Sequence, residues 1–265
     1  MSKSNLMAGK KGLIMGVAND RSIAWGIASE LHAHGAELGF TYQGDQILKR
    51  LNPLAESVGS DVLIPCDVSS EEEIAKTFEN VSQKWSEIDF IVHSIAYSNK
   101  EELKGRYVDT SLDNFLHTMQ ISCYSFTSIM KHAEPLMNKN GGAAVTLSYY
   151  GSQKVMPNYN VMGVAKAALE TSVKYLAADL GEQNIRVNAI SAGPMKTLAG
   201  SAIGSARDTF RHNIETAPLK RSVTLEEVGG SALYLLSELS GAVTGETHYV
   251  DCGFNAMGMK KPVSA

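Results

Sequence analysis

No stretch of this 265-residue chain approaches eighteen uninterrupted apolar residues, so a membrane-spanning helix is not expected. Basic charge is not in excess either. Lys and Arg number 24 against 28 Asp and Glu, a formal net charge of −4. The basic pairs Lys49-Arg50, Lys220-Arg221 and Lys260-Lys261 stand isolated and read as solvated surface, which argues against a nucleic-acid partner. Cysteine is scarce: Cys66, Cys123 and Cys252 lie far apart with no C-x-x-C, so neither a disulfide framework nor a zinc site is indicated. Free thiols suit a reducing, cytoplasmic setting. Met1 to Lys11 lacks the apolar region and cleavage pattern of a secretory leader. His32, His34, His117, His132, His212 and His248 lack metal-ligand spacing and read as structural or surface residues, so no metal is expected. There is no internal repeat, low-complexity tract or composition shift that would mark a linker.

What remains is an ordinary globular composition, 44% hydrophobic and 20% charged, in a length that suits one large domain over 1–265. Short apolar runs alternate with helical patterns. Strands are expected at Gly12–Met15, Glu37–Tyr42, Asp61–Pro65, Phe90–Ser94, Ala143–Ser148, Arg186–Ser191 and Thr247–Asp251. Helices are expected at Ser22–His34, Gln46–Val58, Glu71–Trp85, Leu112–Met137, Tyr159–Gly181, Ala202–Glu215 and Leu225–Ser237. Ser70 before Glu71-Glu72-Glu73, and Ser111 before Leu112-Asp113, carry capping signatures. Such alternation implies right-handed crossovers and an α/β fold with a doubly wound, parallel, seven-stranded sheet flanked by helices on both faces. The stretch from Pro194 to Arg211 is irregular and rich in Gly, Ala and Ser. A flap over an apolar pocket, about 195–212, and an ordinary loop followed by a helix are both compatible with it.

The first strand ends in Gly16-Val-Ala-Asn-Asp-Arg-Ser22-Ile23-Ala24-Trp-Gly26. A glycine turn running into a helix lets a pyrophosphate reach backbone N–H groups at the positive helix end. The full G-x-G-x-x-G is lacking, since position 18 is Ala. Glycine between strand and helix is common, so this signal gains its weight from standing at the first such turn. At the end of the second strand, Gln43 stands where a carboxylate would hold a ribose 2′-hydroxyl or an arginine a 2′-phosphate. Its amide can bond a hydroxyl and no basic residue adjoins it, which favours NADH over NADPH, although Lys49 and Arg50 could fold back. Cys66-Asp67-Val68 follows the third strand: Asp67 can accept from the adenine amine and the Val68 N–H can donate to the ring, or Asp67 can be a simple loop or cap residue. Ser94-Ile95-Ala96, after the fourth strand, offer small residues and backbone to the cofactor, while His93 reads as a packed strand histidine.

Tyr159 and Lys166 stand seven residues apart. On a helix that step returns to within about 20° of the same face, two turns along. The phenol and the ammonium then share one space, where the lysine is expected to lower the tyrosine's pKa. The residue four before Lys166 is Met162, not tyrosine. Upstream, Ser148-Tyr149-Tyr150 offers two polar candidates, Ser148 and Tyr149, with Tyr150 assigned to packing.

Taken in order, Gly16-x5-Ser22-x-Ala24, Cys66-Asp67-Val68, Tyr159 with Lys166, and Ile185-Arg-Val-Asn-Ala-Ile-Ser-Ala-Gly193-Pro194 resemble the short-chain dehydrogenase/reductase family, a Rossmann fold. Tyr159-x2-Met162-x3-Lys166 with Tyr149 upstream is similar to its divergent branch, the bacterial enoyl-(acyl-carrier-protein) reductases of the FabI type. The resemblance spans roughly Ala8 to Gly258. It implies NADH-dependent reduction of the trans-2 double bond of enoyl thioesters carried by acyl carrier protein in fatty acid synthesis. In that reaction the hydride goes to Cβ and Tyr159 stabilises the enolate. It implies that Lys166 holds the nicotinamide ribose, that Pro194, Met195, Thr197 and Leu198 meet the carboxamide, and that Ala199 also contacts the cofactor. It also implies that Ser98, Tyr149, Tyr159, Met162, Leu198, Ala199 and Ile203 border the substrate, and that the chain assembles as a homotetramer with Val250–Phe254 at an interface. Two other readings stay open: a ketone or β-ketoacyl reductase of the same superfamily using Ser148, and a dinucleotide sensor without chemistry.

Overall fold

The computed structural model of the chain describes residues 4–137, 141–198 and 206–259. Strand and helix alternate as β1 (Lys11–Met15), α1 (Ile23–Ala33), β2 (Glu37–Tyr42), α2 (Asp45–Ser57), β3 (Leu63–Pro65), α3 (Glu71–Lys84) and β4 (Phe90–His93). There follow α4 (Leu112–Met119), α5 (Ser125–Ala133), β5 (Gly142–Ser148), α6 (Asn160–Leu180), β6 (Ile185–Ala192), α7 (Ala206–Thr216), α8 (Leu225–Leu236) and β7 (Thr247–Val250). The strands form one sheet in the order β3-β2-β1-β4-β5-β6-β7. Every neighbouring pair is parallel. The order reverses beside β1, between the first half of the chain and the second, so a crevice opens there above the carboxyl ends of the strands.

Successive side chains of a strand point to opposite faces, and here both faces are covered. Leu13, Met15 and Ile91 face one core with Phe126, Ile129, Leu169 and Val173 from α5 and α6. Ile14, Phe90 and Val92 face the other with Ile27, Leu31 and Leu235 from α1 and α8. Each fully buried Leu, Ile or Phe stabilises the fold by about 1.5–3 kcal/mol. The Ser70 hydroxyl accepts from the Glu73 N–H and the Ser111 hydroxyl from the Asn114 N–H, as their capping signatures indicate. Thr224 and Glu227 complete a reciprocal capping box on α8.

The expected single helix over Leu112–Met137 is interrupted. A five-residue π turn, Gln120–Tyr124, joins α4 to α5, and a 3-10 turn carrying Pro135, Glu134–Leu136, ends the run. At the π turn the Ser122 hydroxyl accepts from the Tyr97 N–H and donates to the Tyr97 carbonyl, both at 3.0 Å, tying the wider turn to the segment after β4. Asp251 also leaves the expected seventh strand. Its carboxylate caps the following turn by accepting from the Gly253 and Asn255 N–H groups. The expected helix over Ala202–Glu215 begins partly outside the described residues, and its described part is α7.

Candidate active site

A cavity of about 760 Å³ opens at the carboxyl ends of the central strands. It runs from the β1–α1 and β2–α2 turns, past the segment after β4, to the start of α6 and the segment after β6. Gly16, Ile23, Gln43, Val68, Ser94, Ile95 and Ala96 line one part, and Ser98, Tyr149, Tyr159, Met162, Lys166, Pro194, Met195 and Thr197 line the other. Most of the residues singled out from the sequence thus share one space, although the motifs that carry them are scattered over more than half the chain.

At the β1–α1 turn, Gly16 has φ +101°, and a Cβ there would lie 2.1 Å from the Ser94 carbonyl oxygen. The backbone has turned so tightly around this position that only glycine fits, which leaves a cradle open in front of the α1 N-terminus. Gly16→Ala is therefore expected to destabilise the protein by about 2–4 kcal/mol, combining a left-handed backbone with steric overlap. Thermal unfolding measures that loss, and a fluorescence titration with NADH should show weakened binding in the same variant.

Ser22 does not line the cavity. Its hydroxyl accepts from the Ala18 and Asn19 N–H groups, both at 3.0 Å, so it closes the turn from behind. Gln43 and Asp67 are brought together: the Gln43 amide donates to Asp67 Oδ2 at 2.8 Å, and the Ser69 N–H and hydroxyl both donate to Oδ1. Burial pushes the Asp67 carboxyl up, but these Ser69 and Gln43 donors outweigh it and hold the group below the usual carboxylate range. A carboxylate offers about four lone-pair sites, so Asp67, with three donors, keeps acceptor capacity on the Gln43 side for an exocyclic amine. His93 is fully buried between Thr146 Oγ1, 2.9 Å from Nδ1, and Ser125 Oγ, 3.0 Å from Nε2. Burial, aided by the nearby Lys166 charge, lowers its pKa to about 3, so it is a neutral packed residue.

Tyr159 stands just before α6, as its N-cap, with Asn158 and Asn160 on either side at φ +59° and +31°. Asparagine tolerates that left-handed backbone better than most residues. The Tyr159 ring meets Tyr149 edge-on, with centroids 5.1 Å apart and planes at 78°. The expected lowering of the Tyr159 pKa is not what the site produces. Burial raises it, reinforced by Tyr149 and Glu170. Lys166 donates instead to the Leu147 carbonyl at 2.7 Å. Burial lowers the Lys166 pKa to about 8, against smaller raising effects of Cys123 and Glu170. Tyr149 is pushed up to about 12, by burial and then by Asp251. Both phenols thus stay protonated at neutral pH, available as hydrogen-bond donors.

Ser148 also borders the cavity, but its hydroxyl donates to the buried carboxylate of Glu170 at 2.5 Å. A hydroxyl has one proton to give, and this one is engaged away from any carbonyl in the cavity. Tyr150 packs edge-on against Phe254 and Tyr249.

Leu198 is half exposed and does not line the cavity; Ala199 and Ile203 lie outside the described residues. Thr209 and Phe210, inside the stretch 195–212 read as a flap or an ordinary loop and helix, line it, and sequence reasoning missed Leu103, Met156 and Pro157, which line it too. None belongs to a motif, and only Met156 and Pro157, just upstream of Tyr159, could have been found by proximity. Among the described residues no group of three His, Cys, Asp or Glu could hold a metal ion, and no helix is long and apolar enough to cross a membrane.

The sequence profile described as Enoyl-(Acyl carrier protein) reductase matches residues 16–255. The chain belongs to that family. The FabI enoyl-(acyl-carrier-protein) reductase (NADH) of Rickettsia prowazekii (strain Madrid E) is 57% identical over 258 residues, covering 97% of this chain and 98% of that protein. Enoyl-(acyl-carrier-protein) reductase (NADH) 1 of Rhizobium meliloti (strain 1021) is 59% identical over 257 residues, covering 97% and 94%. Among solved structures, the reductase from Anaplasma phagocytophilum in complex with NAD superposes with a TM-score of 0.95 at 58% identity, covering 99% of this chain and 100% of that one. The chain is thus a single-domain Rossmann-type reductase.

Proposed function

We infer that this chain reduces the trans-2 double bond of enoyl thioesters borne on acyl carrier protein, using NADH, as a step of fatty acid synthesis. The observation that carries the reading is Tyr159 and Lys166 in one cavity, with Met162 in the intervening turn and Ser148 committed to Glu170. The match to reductases described as NADH-dependent supports it.

The cradle fits NADH on its own features: the Gly16 turn before α1 for the pyrophosphate, the Gln43–Asp67 pair for the adenosine end, and Lys166 for the nicotinamide ribose hydroxyls. Ser94, Ile95 and Ala96 would border the cofactor, and Pro194, Met195 and Thr197 its carboxamide. When bound, NADH supplies the hydride that reaches the substrate's β-carbon. Negative charge then develops on the thioester oxygen, three bonds from that carbon. Tyr159 donates a hydrogen bond to this oxygen, the role of an oxyanion-hole group, and its raised pKa lets it do so without surrendering its proton. A proton taken up from solvent water at the α-carbon completes the reduction. Tyr149, edge-on to Tyr159, shapes the pocket or adds a second donor. Ser98 and Met162 border the acyl chain. Thr209 and Phe210 of α7 at the cavity wall support a flap over it.

A ketone reductase needs a hydroxyl free to polarise a carbonyl, and the hydrogen bond of Ser148 to Glu170 speaks against that reading. Oxidation of NADH followed at 340 nm with crotonyl- or octenoyl-thioester tests the proposal. Turnover of the enoyl substrate is expected. Inactivity on it together with activity on a β-ketoacyl thioester would overturn the reading.

A homotetramer is proposed as the assembly. Leu112 and Leu116 on α4, and Tyr175 on α6, are large apolar residues more than half exposed, in keeping with faces that a partner copy covers. Light scattering after gel filtration tests it. The free thiols of Cys66, Cys123 and Cys252 support a cytoplasmic location.

A further inference from the structure

Glu170 has no role in the chemistry above, yet it lies at the centre of the site's framework. It sits on α6 one turn beyond Lys166 and is 4% exposed. Three donors converge on its carboxylate. The Ser148 and Ser152 hydroxyls both donate to Oε1 at 2.5 Å, and the Gln153 amide donates to Oε2 at 2.7 Å. A buried carboxylate satisfied by neutral donors is costly to place, and an apolar side chain would fill the same volume with less desolvation. Stability alone does not account for it.

The donors belong to one short segment. Ser148 ends β5, Tyr149 follows, and a 3-10 turn at Tyr150–Ser152 leads to Gln153. This segment lies directly on the start of α6. A Cβ on Gly151 would come within 2.5 Å of the Tyr159 ring, and a Cβ on Gly163 within 2.8 Å of the Gly151 carbonyl oxygen. Tyr149 then meets Tyr159 edge-on. The turn is therefore seated on Tyr159 at one end and held by Glu170 at the other.

We propose that Glu170 is a positioning residue for the reaction: its carboxylate pins the Ser148–Gln153 segment to α6 and so fixes Tyr149 and Tyr159 relative to each other in the cavity. This rests on the reductase reading given above. The charge of Glu170 also acts on Lys166 on its own helix, Tyr159 at the start of that helix, and Tyr249 of β7; Cys123 and His93 face Lys166 as well, and Asp251 acts on Tyr149 and Tyr249. It raises the pKa of both Tyr159 and Lys166, so its loss lowers both.

The test compares wild type, Glu170→Gln and Glu170→Ala as full-length protein. In Glu170→Gln, Oε1 can still accept from Ser148 and Ser152, but Nε2 faces the Gln153 amide donor against donor, and the charge is gone. The expected result is a kcat lowered about 3–10-fold, an NADH Kd within about twofold of wild type, and an alkaline limb of kcat/KM moved to lower pH by about half a unit or more. Glu170→Ala, which removes the clamp entirely, should lose more than about 10-fold in kcat with NADH binding again retained. If Glu170→Ala does not fold, Glu170→Gln decides. A folded Glu170→Gln with wild-type kcat and an unmoved pH profile would overturn the role of Glu170 while leaving the reductase reading intact. Absence of enoyl reduction by the wild type would overturn both.

Discussion

Tyr159→Phe is expected to lower turnover of an enoyl thioester by about 10²-fold, the cost of losing one oxyanion donor, with NADH affinity nearly unchanged. The substitution removes one hydroxyl and keeps the ring, so the edge-on contact with Tyr149 and the seat of Gly151 on the ring both persist. The effect should fall on kcat and kcat/KM together, because the hydrogen bond strengthens only as charge develops on the thioester oxygen. The loss is placed at the lower end for oxyanion-hole groups because Tyr149 remains in the same cavity as a second protonated phenol. Steady-state rates at 340 nm and a parallel NADH fluorescence titration separate the two quantities. Unchanged turnover would remove Tyr159 from the chemistry. A dinucleotide sensor would show no turnover in wild type or variant.

The sheet was legible because parallel strands buried on both faces read as short apolar runs, and the seven runs fall within a residue or two of β1 to β7. The helices were legible where a cap and a periodic apolar face coincided, as at Ser70 and α3. The break between α4 and α5 was not, because its cause is tertiary: the Ser122 hydroxyl exchanges hydrogen bonds with Tyr97, twenty-five residues away in sequence. The site shows the same division. Gly16, Tyr159 and Lys166 carry their chemistry in residue type and spacing. The direction of the Tyr159 pKa shift does not, since spacing places a lysine nearby but says nothing of how dry the pocket is, nor that Lys166 finds the Leu147 carbonyl first. Glu170 escaped notice for a related reason. A single glutamate in a helical run reads as a solvated face, and only the folded β5–α6 connection brings Ser148, Ser152 and Gln153 onto it.

Lys166 carries the second large effect, and it has two opposite signs. Lys166→Met removes the group that would hold the nicotinamide ribose, so turnover should fall by about 10²-fold or more, in part through weaker NADH binding. Stability should move the other way. The Lys166 pKa is depressed from 10.5 to about 8 by burial, which means the folded protein holds this charge reluctantly. Between about pH 8 and 10.5 the unfolded chain binds the proton that the folded one has released, so this group's contribution to stability rises with pH across that window. The contribution amounts to about 3 kcal/mol and is fully withheld below pH 8. Above pH 9 the buried thiols of Cys66 and Cys123 oppose it, and above pH 10 so do the buried phenols Tyr149 and Tyr159. Their raised pKa values mean that the unfolded chain ionises first and stability declines. The informative range is therefore pH 7 to 9. There wild type should gain stability as pH rises, and Lys166→Met should show a flatter profile and melt at or above the wild-type temperature at pH 7. Denaturant midpoints at pH 7, 8 and 9 for the two proteins measure this directly. A variant that melts lower than wild type at pH 7 with an undiminished pH slope would show that the buried ammonium stabilises the fold through its hydrogen bond to Leu147. The strain of holding a charge in a dry pocket would then not be what Lys166 contributes.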